Sequence, residues 1–274
     1  MRRVVLDVDT GIDDALAILY AVANPDLELC GVTTVVGNVP AEVAARNAAA
    51  VLACTGASGV PVAVGAARTL AGAGPRGGPT NHGPDGLGGV RLPAGAEPSY
   101  DPGSVLRAAA FDGPVTLVGL APLTNVAALA PMSTDVVLVA GELMTEEPPE
   151  LNAGHDPLAT ARVLAADRAP TLYVADVFEQ VSVAPADVSR LRSSHRPAAR
   201  LAGDLLTVRR AHLVGDAAAL VLLTHPHLFG VELRRIGQVG RHLTETDDGR
   251  LLDVVVDVDA SAVATAYVET LLAD

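Results

Sequence analysis

Residues 3–24, RVVLDVDTGIDDALAILYAVAN, set the fold class. The first six, RVVLDV (3–8), are almost continuously apolar, the pattern of a strand buried on both faces. DDALAILYAVAN (13–24), rich in Ala and Leu, reads as the helix that follows, and Gly11 permits a tight turn between them. The same alternation runs on. LELCGVTTVV (27–36) is predicted as a second strand, and PAEVAARNAAAVLACTG (40–56) as a helix with Pro at its start and Gly at its end. VPVAVG (60–65), PVTLVGL (114–120), DVVLVAG (135–141) and TLYVAD (171–176) read as further strands. Helix-like runs at 122–130 and 156–168 separate the last three. From about 185 to 224 the pattern is helical, then VELRRIGQV and LLDVVVDV return to strands, and 260–272 closes as a helix. Repeated strand–helix–strand units imply an α/β fold: one domain over 1–274, a mostly parallel central sheet flanked by helices, and right-handed crossovers. Ligands of such sheets bind at the carboxyl ends of the strands. Residues 65–100 form one long Gly- and Pro-rich irregular segment, and such segments are commonly functional. The stretches 65–81 and 141–152 are expected to flank a pocket.

Composition narrows the partners. The net charge is −13 over 274 residues, and all 19 basic residues are Arg. That balance argues against a nucleic-acid backbone or an anionic membrane as the main partner, but not against a cation or a neutral sugar. Cys30 and Cys54 lack metal-ligand spacing, and the apolar run after Met1 is broken by Asp7. A reducing, cytoplasmic setting without a signal peptide is the expectation.

The strand tip raises the chemical question. Asp7, Asp9, Asp13 and Asp14 crowd eight positions, and each close pair of carboxylates costs a kcal/mol or more unless a positive charge intervenes (about 1 kcal/mol at 4 Å even in water). The nearby sequence offers only Arg2 and Arg3, at the far end of the strand. The helix dipole contributes about half a charge. A hard divalent cation resolves the conflict, and an all-oxygen ligand set points to Ca²⁺, Mg²⁺ or Mn²⁺ rather than Zn²⁺. An EF-hand is excluded, because its sixth and twelfth positions, counted from Asp7, hold Ile12 and Ile18. A phosphatase that phosphorylates an Asp-x-Asp aspartate is disfavoured too. The order here is Thr10-Gly11 rather than Gly-Thr, and no Lys exists to hold the phosphoryl group.

DVDTGIDDALAI resembles the N-terminal signature of the nucleoside hydrolases, calcium-dependent enzymes that cleave the N-glycosidic bond of ribonucleosides. Further motifs follow in the family's order: TTVVGNV (33–39), NHGPDGLGG (81–89), GLAPLTNVA (119–127), PELNAGHDPLA (149–159) and VGDAAAL (214–220). The resemblance implies hydrolysis to free base and ribose, a role in purine or pyrimidine salvage, and a homodimer or homotetramer. It implies Ca²⁺ ligation by Asp9, Asp14, Asp216 and the Leu120 carbonyl, with Asp7 supporting the site. Asp9 would also deprotonate a Ca²⁺-bound water. Asp13, Asn38, Glu150 and Asn152 would hold the ribose hydroxyls, and His82 would sit beside the base. Asp156, before Pro157, reads as a helix N-cap only.

One departure falls on the leaving-group side. Many members carry a His immediately before the last aspartate, and here that position is Gly215. The loss leaves open a second reading, a non-catalytic or weakly active Ca²⁺-dependent binder of ribosyl ligands. His212, four residues before Asp216, shares its helical face if the helix continues, and is a candidate replacement acid. Glu142 also stands where a second Gly is common.

Overall fold

The computed structural model describes residues 1–76, 81–145, 147–209 and 212–273. Residues 77–80 and Glu146, within the two stretches expected to flank the pocket, lie outside the described residues, as do 210–211 of the helical stretch and Asp274.

β1 (Arg2–Val8), β2 (Leu27–Thr34) and β3 (Val62–Val64) alternate with α1 (Ile12–Ala23) and α2 (Ala41–Cys54). Next come α3 (Pro102–Phe111), β4 (Thr116–Gly119), the short α4 (Val126–Leu129) and β5 (Asp135–Val139). α5 (Leu151–His155), α6 (Pro157–Ala165), β6 (Thr171–Tyr173) and α7 (Ala175–Phe178) follow. α8 (Pro185–Ser193), α9 (Pro197–Val208) and α10 (Gly215–Thr224) lead to β7 (Phe229–Val239), β8 (His242–Glu245), β9 (Arg250–Val258) and α11 (Ala260–Leu272).

The nine strands found among the described residues form one sheet in the order β3-β2-β1-β4-β5-β6-β9-β7-β8. Seven run parallel, and β7 pairs antiparallel with both β9 and β8. The α/β, mostly parallel architecture expected from the sequence is therefore the one observed. After β1 the chain steps outward through β2 and β3, then returns to lay β4 on the other side of β1. That reversal opens a crevice beyond the carboxyl ends of β1 and β4, where ligands of such sheets bind. The register aligns Asp7 with Thr33 of β2 and with Gly119 of β4.

Val4, Val5, Leu6 and Val8 of β1 and Ile12, Leu16 and Leu19 of α1 are all fully buried. Dense burial of β1 explains why its strand reads so clearly, and it fixes the frame on which the acids stand. Elements outside this frame were less legible. α3 is capped by Asp101, whose carboxylate accepts the Ser104 amide at 2.9 Å, with Pro102 in the first turn. β8 closes a hairpin through Gly240 at φ 63°.

Candidate active site

The acids stand at the carboxyl end of β1 and the first turn of α1. Asp7 is fully buried, and its Oδ1 accepts Thr33 Oγ1 at 2.5 Å and Asn125 Nδ2 at 2.8 Å. Asp9, 1% exposed, receives the Asn38 backbone amide at 2.6 Å and the Asn38 side-chain amide at 3.0 Å. Gly37 makes this approach possible, since a Cβ there would stand 1.8 Å from Asp9 Oδ2. Asp14 caps its own helix by accepting the Gly11 amide at 2.7 Å.

Asp216, in the first turn of α10, reaches the same place from the opposite side of the sequence. Asp13, Asp14 and Asp216, all buried, bring one carboxylate oxygen each to within 4.8 Å of one another. Asp13 Oδ1, Asp14 Oδ1 and Asp7 Oδ2 are buried and find no hydrogen-bond partner among the described residues. Orphaned buried carboxylate oxygens are costly, and two of these belong to residues of that cluster. Burial, joined by the neighbouring carboxylates, pushes the Asp14 and Asp216 carboxyls well above their usual range. Burial likewise drives Asp7 up to about 7, against its two hydrogen bonds. An all-oxygen donor set with unspent lone pairs fits a hard divalent cation.

Two arginines far away in sequence also answer the charge. Arg76 Nη2 lies 2.7 Å from Asp9 Oδ2 and 2.8 Å from Asn38 Oδ1. Arg209, 7% exposed, places Nη2 2.9 Å from Asp13 Oδ2. Burial works against ionisation of Asp13, but the cationic neighbours outweigh it and hold this carboxyl below its usual value. Arg2 and Arg3 instead serve the other end of the sheet, with Asp135 and Glu28. Spacing along the chain gave no sign of Arg76 or Arg209. The one available signal was that, with no Lys, any basic neighbour of the acids had to be an Arg.

His82 packs over the α1 N-terminus, 9% exposed, and its Nδ1 accepts the Ile12 amide at 3.1 Å. Asp13 Oδ1 lies 3.4 Å from the same ring nitrogen. Asn152 donates its side-chain amide to the carbonyls of Leu120 (3.0 Å) and Val139 (2.9 Å), while its Oδ1 faces Arg76 Nη1 at 3.4 Å. Glu150 caps α5, accepting the amides of Asn152, Ala153 and Gly141 at 2.7–3.0 Å. Glu142 accepts the Glu150 amide at 2.7 Å and pairs with His242 at 2.5 Å, which ties Glu142 to the start of α5 and to β8. Asp156 is an N-cap as expected, and it also accepts Thr124 Oγ1 and the Leu70 amide.

The structure thus gathers Asp9, Asp13, Asn38 and His82 around the tip of β1, with Asp14 and Asp216 beside them and Asn152 joined through Arg76. His212 needs correction. α9 ends at Val208 and α10 begins at Gly215, so no continuous helix carries His212 to the Asp216 face. It adopts φ 53°, and its Nδ1 lies 3.2 Å from the Val183 carbonyl.

Comparison with known proteins agrees with this architecture. Plant nucleoside hydrolase has a solved structure that superposes with a TM-score of 0.86 at 24% identity, covering 100% of this chain and 99% of that one. A purine-preferring ribonucleoside hydrolase from Gardnerella vaginalis gives 0.86 at 22% identity, covering 98% of each chain. At these identities the likeness concerns the fold. Among curated proteins, uridine nucleosidase 1 of Arabidopsis thaliana is 30% identical over 249 residues, 85% of this chain and 74% of that protein. The pyrimidine-specific ribonucleoside hydrolase RihA of Shewanella sp. (strain MR-7) is 33% identical over 225 residues, 75% of this chain and 69% of that protein. These relatives bear the names of enzymes, and they lend no support to the non-catalytic reading. Residues 4–265 match the family described as inosine-uridine preferring nucleoside hydrolase, and the chain belongs to that family of N-glycosidic hydrolases.

Proposed function

We propose that this enzyme hydrolyses ribonucleosides to free base and ribose with Ca²⁺ as its resident cation and Asp9 as its base. The observation that carries the reading is the convergence of Asp13, Asp14 and Asp216 at the sheet's switch point, with buried carboxylate oxygens left unpartnered. Asp9, Asp14, Asp216 and the Leu120 carbonyl would hold the ion, with Asp13 sharing the cluster. When bound, such a cation lowers the pKa of its water and orients sugar hydroxyls.

The chain's own groups supply the rest. Asn38 fixes Asp9 through two hydrogen bonds, which aims the carboxylate for proton removal from the attacking water. Departure of the base leaves oxocarbenium character at the sugar, and surrounding carboxylates stabilise that charge. Asp13, Asn38 and Asn152 offer the acceptors and mixed donor–acceptors that ribose hydroxyls require, with Glu150 behind them and His82 toward the base. Asp7, held by Thr33 and Asn125, backs the site from within the sheet. Two unpaired cysteines, Cys30 and Cys54, support action in a reducing compartment such as the cytoplasm.

The test is release of reducing sugar from uridine, inosine and nitrophenyl riboside, each with Ca²⁺ and with chelator. Turnover that chelator abolishes and Ca²⁺ restores supports the reading. Turnover unaffected by chelator would remove the cation from it, and absence of turnover on every riboside would remove the reaction.

A further inference from the structure

Glu142 stands where a second Gly is common, and the structure gives its buried carboxylate two partners. Oε1 accepts His242 Nδ1 of β8 at 2.5 Å, and Oε2 accepts the Glu150 backbone amide at 2.7 Å, at the start of α5. The Glu142 amide donates to the Leu243 carbonyl of β8 at 2.9 Å. Among the described residues, the charged groups facing the His242 ring are Glu142 and the exposed Glu147, whose Oε1 lies 3.4 Å from Nε2. The hydrogen bond to Glu142 raises the imidazole above its ordinary range, against desolvation, which favours the imidazolium form. From Glu150 the contacts run on toward the candidate site. Its carboxylate accepts the Asn152 amide at 2.7 Å, and the Asn152 side chain donates to the Leu120 carbonyl at 3.0 Å. At the far end of α5, Arg241 Nε donates to the Gly154 carbonyl at 2.8 Å. Two successive side chains of the β7–β8 hairpin, at the outer edge of the sheet, thus hold both ends of the short helix that carries Asn152.

We infer that His242 is a positioning residue for the sugar side of this enzyme: by pairing with Glu142 it holds the Glu150 amide, and through it α5, so that Asn152 meets the ribose hydroxyls. This rests on the riboside-hydrolase reading above and on the place it gives Asn152. His242 acts at one remove, since Asp9, Asp13 and Asp14 stand on the β1–α1 frame, outside the clamp. A buried carboxylate deprived of its cationic partner is costly, and the cost is relieved when the group turns toward solvent. Such a turn would release the Glu150 amide. A Gln at position 142 carries no charge to compensate, and its carbonyl oxygen still accepts that amide. A sugar contact made before and during bond cleavage alike appears in KM rather than in kcat.

The experiment compares wild type, His242→Ala, Glu142→Gln and the double variant on uridine and inosine, with ribose as a product inhibitor. His242→Ala is expected to raise KM and the ribose inhibition constant together by roughly tenfold, with kcat changed by less than about threefold. Adding Glu142→Gln is expected to bring both constants back to within about threefold of wild type, which loss of ring packing alone would not predict. His242→Asn puts a neutral amide donor near the place of Nδ1, and both constants are expected to stay within about threefold of wild type. Circular dichroism melts confirm that each variant is folded at the assay temperature. An unchanged KM in His242→Ala, a loss confined to kcat, or an unmoved ribose constant would overturn the assignment and leave the hydrolase reading intact. So would a double variant no better than His242→Ala, or a roughly tenfold rise in His242→Asn. Failure of the wild type to cleave any riboside would overturn both.

Discussion

Arg76 and Asn152 meet across the candidate site: one guanidinium spans the gap, with Nη2 2.7 Å from Asp9 and Nη1 3.4 Å from Asn152 Oδ1. The same Nη1 reaches the Leu151 carbonyl at 3.0 Å. This side chain therefore supplies positive charge directly beside Asp9. Arg76→Ala is expected to destabilise the cation-free protein by roughly 3 kcal/mol, because Asp9, 1% exposed, loses its ionic partner. The same substitution is expected to raise Ca²⁺ affinity, since the ion no longer competes with a tethered cation. Thermal melts with and without Ca²⁺ measure both effects, and a smaller Ca²⁺-induced rise in Tm than in the wild type would contradict the second.

Asp14→Asn removes one carboxylate from a cluster that repels itself. Cation-free Tm is expected to rise by a few degrees, as about 1–2 kcal/mol of repulsion is relieved. Turnover and the Ca²⁺-induced rise in Tm are expected to vanish together. A variant that loses activity yet keeps its Ca²⁺ response would show that Asp14 serves the substrate rather than the ion.

The acids also impose a pH dependence on the cation-free protein. Asp7 has its carboxyl pushed up to about 7 by burial, from an ordinary value of 3.8. A carboxyl raised on folding binds its proton more tightly in the folded state. Its contribution is full below 3.8 and is lost as pH rises through about 7, a change of roughly 4 kcal/mol for Asp7 alone. Asp14 and Asp216 shift in the same direction, while Asp13 shifts the other way. Cation-free stability is therefore expected to fall between about pH 4 and pH 7 and beyond, and Ca²⁺ to flatten that fall. Denaturant melts across that range provide the check, and stability rising over the window would contradict it.

Much of this arrangement was legible in the chain, for identifiable physical reasons. β1 and α1 declare themselves because their buried positions are almost all apolar, with the four clustered acids gathered at the end of β1, in the turn and in the first turn of α1. The family motifs mark Asn38, in the loop after β2, and Asn152 and Asp216, in the first turns of α5 and α10. What stayed hidden depends on contacts between distant segments. Arg209 meets Asp13 across 196 positions, and no local pattern encodes that pairing. His212 looked helical because Arg209 to Leu220 contains neither Pro nor a strong turn signal beyond Gly215, yet the chain breaks there to reach Val181 and Val183. α3 did carry its signal, Asp101 before Pro102, inside a stretch otherwise dominated by Gly and Pro.

Gly37 offers a test of positioning that leaves every polar side chain in place. Gly37→Ala puts a methyl group against the Asp9 carboxylate, which must then move by about 1 Å or more. Displacement on that scale costs roughly 10²-fold in turnover. Steady-state kinetics beside a circular dichroism melt separate this from unfolding, and wild-type kcat in a folded variant would show that Asp9 needs no such cradle.

The central claim is that the buried acids at the β1 tip form a cation site, and calorimetric titration with Ca²⁺ tests it most directly. Wild type is predicted to bind one ion per chain with release of protons, and Asp216→Asn to bind none at the same concentrations. Wild type without a binding isotherm, or Asp216→Asn with an undiminished one, would contradict the account.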